Sequence, residues 1–114
     1  MENRRKKGSR YESVAAACLQ ERGYTILERN FSSREGEIDL IARDGEYLVF
    51  VEVKYRRTMG LGEPAEAVGF AKQEKIRKTA QYYLYKNRIA PDRPCRFDVV
   101  AILGDQVEVI TNAF

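Results

Sequence analysis

GEIDLIARDGEYLVFVEVKYRR, residues 36–57, is the stretch from which the fold of this 114-residue chain is predicted. Two runs rich in β-forming residues, Glu37–Arg43 and Tyr47–Tyr55, flank Asp44-Gly45, a dipeptide typical of a β-hairpin turn. The second run is apolar from Tyr47 to Val53 apart from Glu52, which is typical of a strand that is covered on both faces. The stretch therefore predicts a hairpin at the centre of a sheet.

This hairpin brings acidic side chains together. A two-residue turn at Asp44-Gly45 places Glu37 opposite Glu52 and makes Asp39 a diagonal neighbour of Glu52 on the same face, with about 7–8 Å between their Cα atoms. Lys54 follows on that face. Buried carboxylates are normally paired or bound to a metal, so two of them beside a lysine predict a divalent-cation site. The alternative is an ordinary surface ion pair between Glu52 and Lys54 at a sheet edge.

The rest of the chain adds two helices and three strands. The predicted elements are a helix from Ser9 to the break at Gly23, a strand Tyr24–Phe31, the hairpin, a loop over 58–63, a helix that begins near Pro64, and strands Arg96–Leu103 and Gln106–Ile110 around Gly104-Asp105. The second helix is predicted to bury Phe70, Gln73, Ile76, Ala80 and Leu84. The fold class is α/β, a mixed sheet flanked by helices in the order αβββαββ. We predict a basic flexible tail over 1–8 and a single domain over 9–114.

Composition excludes several kinds of chemistry and indicates a compartment. The chain has no histidine, which excludes Ser-His-Asp and Cys-His catalysis and most zinc sites. Cys18 and Cys95 are far apart in sequence and are expected to be reduced, packed thiols. No apolar run reaches the roughly 18 residues of a membrane span, and the N-terminal MENRRKKGSR is basic with no apolar segment behind it. A cytoplasmic protein is expected.

Positive residues are clustered although the net charge is only +3. The clusters are Arg4, Arg5, Lys6, Lys7 and Arg10; Lys54, Arg56 and Arg57; and Lys72, Lys75, Arg77 and Lys78. A polyanionic partner such as DNA or RNA fits this distribution. The alternative is that each cluster is a solvated face.

The string G-E-I-D-L-I, followed by a short hairpin and V-F-V-E-V-K, resembles the PD-(D/E)XK superfamily of restriction-endonuclease-like and Holliday-junction-resolvase-like proteins. The whole chain is similar to the YraN family of small bacterial proteins, usually described as predicted nucleases. That similarity extends from the first helix through PAEAV, KQEKIRK and RPCRFDVVAI to the final NAF. It implies a restriction-endonuclease-like fold.

The resemblance also implies roles for particular residues. Asp39 and Glu52 would be ligands of Mg²⁺ or Mn²⁺, and Lys54 would be the catalytic lysine. Glu12 would be an accessory acidic ligand, and Lys72 and Gln73 auxiliary residues near the site. The family usually has a small residue before the glutamate of the first helix, where this chain has Tyr11.

Two of these residues have alternative explanations. Ser9 and Glu12 have the spacing of a capping box, in which Glu12 would bond back to the Ser9 amide. Gln73 is predicted to point inward and to need a polar partner, which a phosphate, a water at the metal, the site lysine or a backbone carbonyl would supply.

The sequence thus predicts a metal-dependent endodeoxyribonuclease that hydrolyses phosphodiester bonds in structured or branched DNA. Phosphate contacts are expected from Arg4, Arg5, Lys6, Lys7, Arg56, Arg57, Lys72, Lys75 and Lys78. A homodimer is expected by analogy with resolvase-like relatives. The alternatives are a non-catalytic nucleic-acid-binding module of the same fold and a protein-interaction adaptor.

Overall fold

The computed structural model describes residues 4–56 and 68–114, and for residues 4–9 the backbone only. Within these residues the chain forms two helices and five strands. They are α1 (Arg4–Glu21), β1 (Thr25–Ser32), β2 (Glu37–Asp44), β3 (Tyr47–Arg56), α2 (Phe70–Lys86), β4 (Cys95–Leu103) and β5 (Gln106–Ile110). The predicted order αβββαββ is confirmed.

The five strands form one mixed sheet in the order β1-β2-β3-β4-β5. Neighbouring strands are antiparallel except β3 and β4, which are parallel. Parallel strands need a crossover connection, and α2 lies between these two in sequence. The arrangement is consistent with the restriction-endonuclease-like fold.

A separate apolar core covers each face of the sheet. On the α1 side, Ala15 and Leu19 pack against Leu40, Val51 and Val100. On the α2 side the core includes Phe31, Ile41, Phe50, Ile76 and Tyr83. Alternate residues of β3 therefore enter opposite cores, which explains its almost continuous apolar sequence.

The hairpin turn lies one residue further along the chain than predicted. Asp44 pairs with Tyr47, so Gly45 and Glu46 are the central residues of the turn, and not Asp44 and Gly45. Gly45 has a φ of +59°, which fits the turn type that places glycine at the first central position. The pairing register of β2 and β3 therefore shifts by two residues. Because the side-chain pattern of a strand has a period of two residues, this shift leaves the predicted face of each paired residue unchanged.

α1 begins at Arg4 rather than at the predicted Ser9, and so includes part of the segment assigned to a tail. It ends as predicted at Gly23, which has a φ of +96°. The Gly23 N–H donates to the Gln20 carbonyl and the Tyr24 N–H to the Leu19 carbonyl, both at 3.0 Å. This is the Schellman arrangement, in which glycine takes the left-handed position at low cost.

α2 begins at Phe70, later than the predicted start near Pro64. Pro64 and the predicted loop 58–63 lie outside the described residues. Ile76 and Ala80 are buried as expected, but Phe70 is 75% exposed, so its predicted place in the core was wrong. As the first residue of the helix, Phe70 precedes the turns that pack on the sheet.

A buried ionic network joins β2 and β4 to the residues that precede β1 and follow β5. Arg96 forms two hydrogen bonds of 2.9 Å to the fully buried carboxylate of Asp98 and one of 2.9 Å to Asp44. Asp98 also accepts from the Tyr24 hydroxyl at 2.9 Å and the Asn112 amide at 3.0 Å. Asp98 is thus a fully paired buried charge with a structural role.

Both cysteines are free and half-buried, as expected for packed thiols. In the described part of the chain, neither helix is long and apolar enough to cross a membrane.

Candidate metal centre

Asp39 lies where β2 and β3 stop pairing. The paired residues run from Asp44 with Tyr47 to Leu40 with Val51. Two residues after Val51 on β3, the Val53 N–H donates to the Oδ2 atom of Asp39 at 2.8 Å. Ile38 and Ile41 both enter the α2-side core although their spacing of three positions is odd, so the alternation of β2 is interrupted around Asp39. The carboxylate is therefore fixed between the two diverging strands.

Three carboxylates converge at this point. One oxygen atom from each of Glu12, Glu37 and Asp39 lies within 4.8 Å of the other two. Glu12 reaches the cluster from α1 and is only 8% exposed, whereas Glu37 is exposed to solvent. Oxygen ligands of this kind suit hard divalent cations. This acidic cluster could hold a metal ion.

Glu12 belongs to the acidic cluster and not to a helix cap. Because α1 begins at Arg4, Ser9 is inside the helix and does not cap it, so the capping-box alternative was wrong. Tyr11, the unusual neighbour of Glu12, stacks on Tyr55 of β3 with ring centroids 3.9 Å apart. The tyrosine thus packs beside the approach of Glu12 to Asp39 without blocking it.

Glu52 is near Asp39 but has a partner of its own. Its Oε1 atom lies 2.6 Å from the Nζ atom of Lys72, on the first turn of α2. Glu52 is buried, whereas most of the Lys72 side chain is exposed. The charge of this buried carboxylate is therefore offset by a lysine from across the cleft.

The charges around Asp39 alter its protonation. Burial, and next the charge of Glu52, raise the pKa of Asp39 from 3.8 to about 7; the Val53 hydrogen bond opposes this, and Glu12 adds to it. Burial alone would lower the pKa of Lys72, but the hydrogen bond and charge of Glu52, with the charges of Asp39 and Glu37, raise it overall. The site thus carries unbalanced negative charge that a cation would relieve.

Asp39 lines two clefts, one on each side of the sheet. The cleft beside α1 has a volume of about 210 Å³ and is lined by Tyr11, Glu12, Asp39, Val53 and Tyr55. The cleft beside α2 has a volume of about 240 Å³ and is lined by Gly36, Glu37, Asp39, Glu52, Lys72, Lys75 and Ile76. The second cleft therefore sets two lysines, Lys72 and Lys75, beside three carboxylates.

The remaining predicted site residues lie on β3 and α2. Lys54 is half-buried on β3, on the same face as Glu52. Gln73 donates from Nε2 to the Val68 carbonyl at 2.6 Å, which is the backbone alternative considered for it. Lys78 lines a different groove, farther along α2.

Some predicted phosphate contacts lie outside what the structure describes. Arg57 is among these, and for Arg4, Arg5, Lys6 and Lys7 only the helical backbone is described. Arg56 is a half-buried residue at the end of β3.

Sequence reasoning placed Glu37 beside the site, as a supporting acid opposite Glu52, and missed its place in the acidic cluster itself. The signal was present, because Glu37 and Asp39 are two residues apart on one strand. The Glu52–Lys72 ion pair was also missed. It joins residues 20 apart in sequence, on elements separated by a segment whose path the sequence does not determine.

The fold and the acidic cluster define a small α/β protein of restriction-endonuclease-like architecture with a candidate metal centre at the sheet. Residues 11–102 match the family described as "Uncharacterised protein family UPF0102". A UPF0102 protein of Lachnoclostridium phytofermentans is 50% identical over 112 residues, covering 98% of this chain and 95% of the relative. One from Acetivibrio thermocellus is 50% identical over 122 residues (98% and 93%), and one from Aliivibrio fischeri is 44% identical over 115 residues (98% and 94%).

The chain therefore belongs to this bacterial family, UPF0102, which is the YraN family that the sequence resembles.

Proposed function

We propose that this protein is a Mg²⁺- or Mn²⁺-dependent nuclease that hydrolyses phosphodiester bonds in structured or branched DNA. The observation that carries the proposal is the convergence of Glu12, Glu37 and Asp39, with one oxygen atom of each within 4.8 Å of the others. Like charges this close are costly in a half-buried setting. Burial, the charge of Glu52 and, to a lesser extent, that of Glu12 raise the pKa of Asp39. A cation would remove the cost of this repulsion.

The residues present fit a hard divalent cation. The available ligands are carboxylate oxygens, with Glu12, Glu37 and Asp39 in the cluster and Glu52 beside Asp39. Oxygen-only sites of this kind favour Mg²⁺ or Mn²⁺ over zinc. When bound, such a cation supplies Lewis acidity toward a phosphate oxygen and toward the attacking water.

The chain's own groups orient the reactants. The Val53 amide fixes the direction of the Asp39 carboxylate. Lys54, on the face of β3 that carries Glu52, is assigned to hold the attacking water by donating from Nζ, as the family resemblance implies. Lys72 holds the Glu52 carboxylate in place through their ion pair. None of these roles needs a histidine, which the chain lacks.

Exposed cations around the cleft are assigned to binding the DNA backbone. Lys75 lines the α2-side cleft, and Lys72 bounds it on the same helix. We assign further phosphate contacts to Arg56, Arg57, Lys78 and the basic residues Arg4, Arg5, Lys6 and Lys7. Such contacts provide affinity without reading sequence. A homodimer remains part of the proposal by analogy with resolvase-like proteins.

The test is cleavage of labelled DNA by the purified protein, on junction, flap, nicked and linear substrates and on RNA, with Mn²⁺ or with EDTA. We expect Mn²⁺-dependent cleavage of a branched substrate that falls at least 100-fold in Asp39→Asn and in Lys54→Met. Glu108→Gln is the matched control, because Glu108 is an exposed carboxylate on β5, which two intervening strands separate from β2. Full activity of Asp39→Asn would overturn the proposal.

One observation favours a second function, a nucleic-acid-binding module without turnover. The ion pair with Lys72 gives the buried Glu52 a structural partner with no metal involved. If this function is the right one, DNA binding will persist in EDTA, no cation will produce cleavage, and Asp39→Asn will bind DNA at least as tightly as the parent.

A further inference from the structure

A groove beside the candidate metal centre has a different character from the centre itself. Its volume is about 660 Å³, and its walls are the β1–β2 turn, residues 32–35, and the second half of α2. The turn contributes Arg34 and the helix contributes Lys78, Tyr82 and Tyr85. We call this the tyrosine groove.

The tyrosine groove and the α2-side cleft share their two walls. The β1–β2 turn lines the groove with Ser33 and Arg34 and the cleft with Gly36. On the helix, Lys75 lines the cleft, and Lys78, one turn further, lines the groove. The groove and the cleft are therefore neighbours along α2.

The turn is fixed against α2 by packing and hydrogen bonds. The Ser33 and Thr79 hydroxyls are 3.1 Å apart, and Thr79 donates to the Lys75 carbonyl at 2.8 Å. A Cβ atom at Gly36 would lie 3.4 Å from the Lys75 Cβ atom. Glycine at this position allows the close approach, so the two walls are held at a set separation.

Two aromatic rings are presented to solvent on the helix wall. Tyr85 is 81% exposed and Tyr82 is 43% exposed. Lys78, Tyr82 and Tyr85 follow one another at spacings of four and three residues, which places them on one face of α2. Phe31 lies under Tyr82 with ring centroids 6.0 Å apart. Large exposed rings that lack a partner on one face are typical of a binding surface.

Charge and shape identify the occupant. Arg34 and Lys78 offer two positive charges against one lining carboxylate, that of Glu35. Cations beside flat, accessible rings suit a chain of phosphates and bases. The bases of a duplex have their faces covered by their neighbours in the stack, so only unpaired bases can lie on these rings.

We propose that the tyrosine groove binds unpaired nucleotides, so that the preferred substrate carries a single-stranded arm next to the bond that is cut. Tyr82 and Tyr85 stack on bases, while Arg34 and Lys78 contact phosphates. The substrate preference rests on the proposed nuclease function. Binding of the single strand does not rest on it, because that binding involves none of the carboxylates of the candidate metal centre.

The test is fluorescence anisotropy with a labelled oligothymidylate and with a DNA duplex of the same length, both in EDTA so that no cleavage intervenes. We expect Tyr85→Leu to weaken single-strand binding about fivefold or more, the usual loss for one stacked base, with less than twofold change for the duplex. Tyr85→Phe keeps the ring and should bind like the parent. Unchanged single-strand affinity in Tyr85→Leu, or an equal loss for the duplex, overturns the proposal.

A second variant tests the phosphate contacts. In Arg34→Gln with Lys78→Gln, the dependence of single-strand affinity on salt should fall by about 0.7 in log–log slope for each lost contact. An unchanged slope would contradict the assignment. Cleavage of a flap substrate by the parent but not by Tyr85→Leu supports the substrate preference. Absence of all cleavage, together with the expected loss of single-strand binding, leaves the groove proposal standing and overturns only the nuclease proposal.

Discussion

At the scale of single residues, Asp39 determines what the site can do. Its carboxylate accepts a hydrogen bond from Val53 and lies beside Glu12, Glu37 and Glu52. With a pKa of about 7, the Asp39 carboxyl gains or loses its proton near neutral pH. The stability of the metal-free protein should therefore depend on pH through this group.

The direction of that dependence follows from linkage. In the unfolded chain the pKa of Asp39 returns to about 3.8, and in the folded chain it is about 7. Between these values the folded chain holds the proton more tightly, so the stability that protonation provides is complete below about pH 4 and is lost as the pH rises through 7.

Asp39→Asn should therefore raise the melting temperature at pH 8 in EDTA by about 4 °C or more, equivalent to about 1 kcal/mol, because a neutral amide removes the repulsion and keeps an acceptor for the Val53 amide. At pH 5 the difference should be clearly smaller, because the folded parent is largely protonated while its unfolded chain is not, and it should vanish only below about pH 4. Glu108→Gln should melt like the parent at both values. A loss of stability in Asp39→Asn of equal size at pH 5 and pH 8 would refute the assigned pKa.

At the scale of elements, the sequence predicted every strand and both helices in order, but not every boundary. The hairpin register was two residues off because either turn contains glycine and both registers put the same side chains in the same core. A shift of two residues leaves the apolar pattern unchanged. Only the full set of pairs, including Leu40 with Val51, distinguishes them.

The candidate site was predictable in part for a related reason. Asp39 and Glu52 share a hairpin, so local periodicity brings them together. Glu12 was placed through family resemblance, since helical periodicity does not specify which turn of α1 lies next to Asp39. The pairing of Glu52 with Lys72 depends on where α2 begins, and Pro64 was a misleading signal for that start.

The ends of the helices allow a matched test of backbone strain. Each helix is followed, two residues after its last residue, by a residue in the left-handed conformation. After α1 this residue is Gly23, whereas after α2 it is Arg88, at a φ of +55°. The Arg88 N–H donates to the Tyr85 carbonyl and the Ile89 N–H to the Leu84 carbonyl, at 3.2 Å and 2.9 Å, which repeats the arrangement of α1. A side chain at this position is strained.

Arg88→Gly should therefore stabilise the protein by about 0.5–1 kcal/mol, measured by urea unfolding. Lys86→Gly, in the last turn of α2, should destabilise it by about the same amount, because there glycine only adds flexibility to the unfolded chain. Gly23→Ala should also destabilise. Destabilisation by Arg88→Gly as large as that by Lys86→Gly would mean that the left-handed position carries no strain.

At the scale of the whole molecule, the network around Asp98 joins parts of the chain that are distant in sequence. Tyr24 precedes β1, Asp44 ends β2, Arg96 and Asp98 belong to β4, and Asn112 follows β5. The network thus links the edge strands to the centre of the sheet. Breaking the pairing of a buried charge is costly even when each single bond contributes little.

Tyr24→Phe should destabilise the protein by about 1–3 kcal/mol, because the fully buried Asp98 carboxylate loses the hydrogen bond that the Tyr24 hydroxyl donates to it. Tyr85→Phe removes the same hydroxyl from an exposed ring and should leave the free energy of unfolding unchanged. Chemical unfolding of both variants decides the matter. Equal, near-zero effects would show that water or rearrangement replaces the lost bond.

The central claim is that the acidic cluster around Asp39 holds a divalent cation, and Mn²⁺-dependent melting tests it most directly. At ten times the dissociation constant, Mn²⁺ should stabilise the parent by about 1.4 kcal/mol, a shift of several degrees above its own EDTA baseline. Glu108→Gln should show the same shift. Asp39→Asn should show almost none, although it is the more stable protein in EDTA at pH 8. A parent that does not respond to Mn²⁺, or an Asp39→Asn protein that responds as strongly as the parent, would contradict the account.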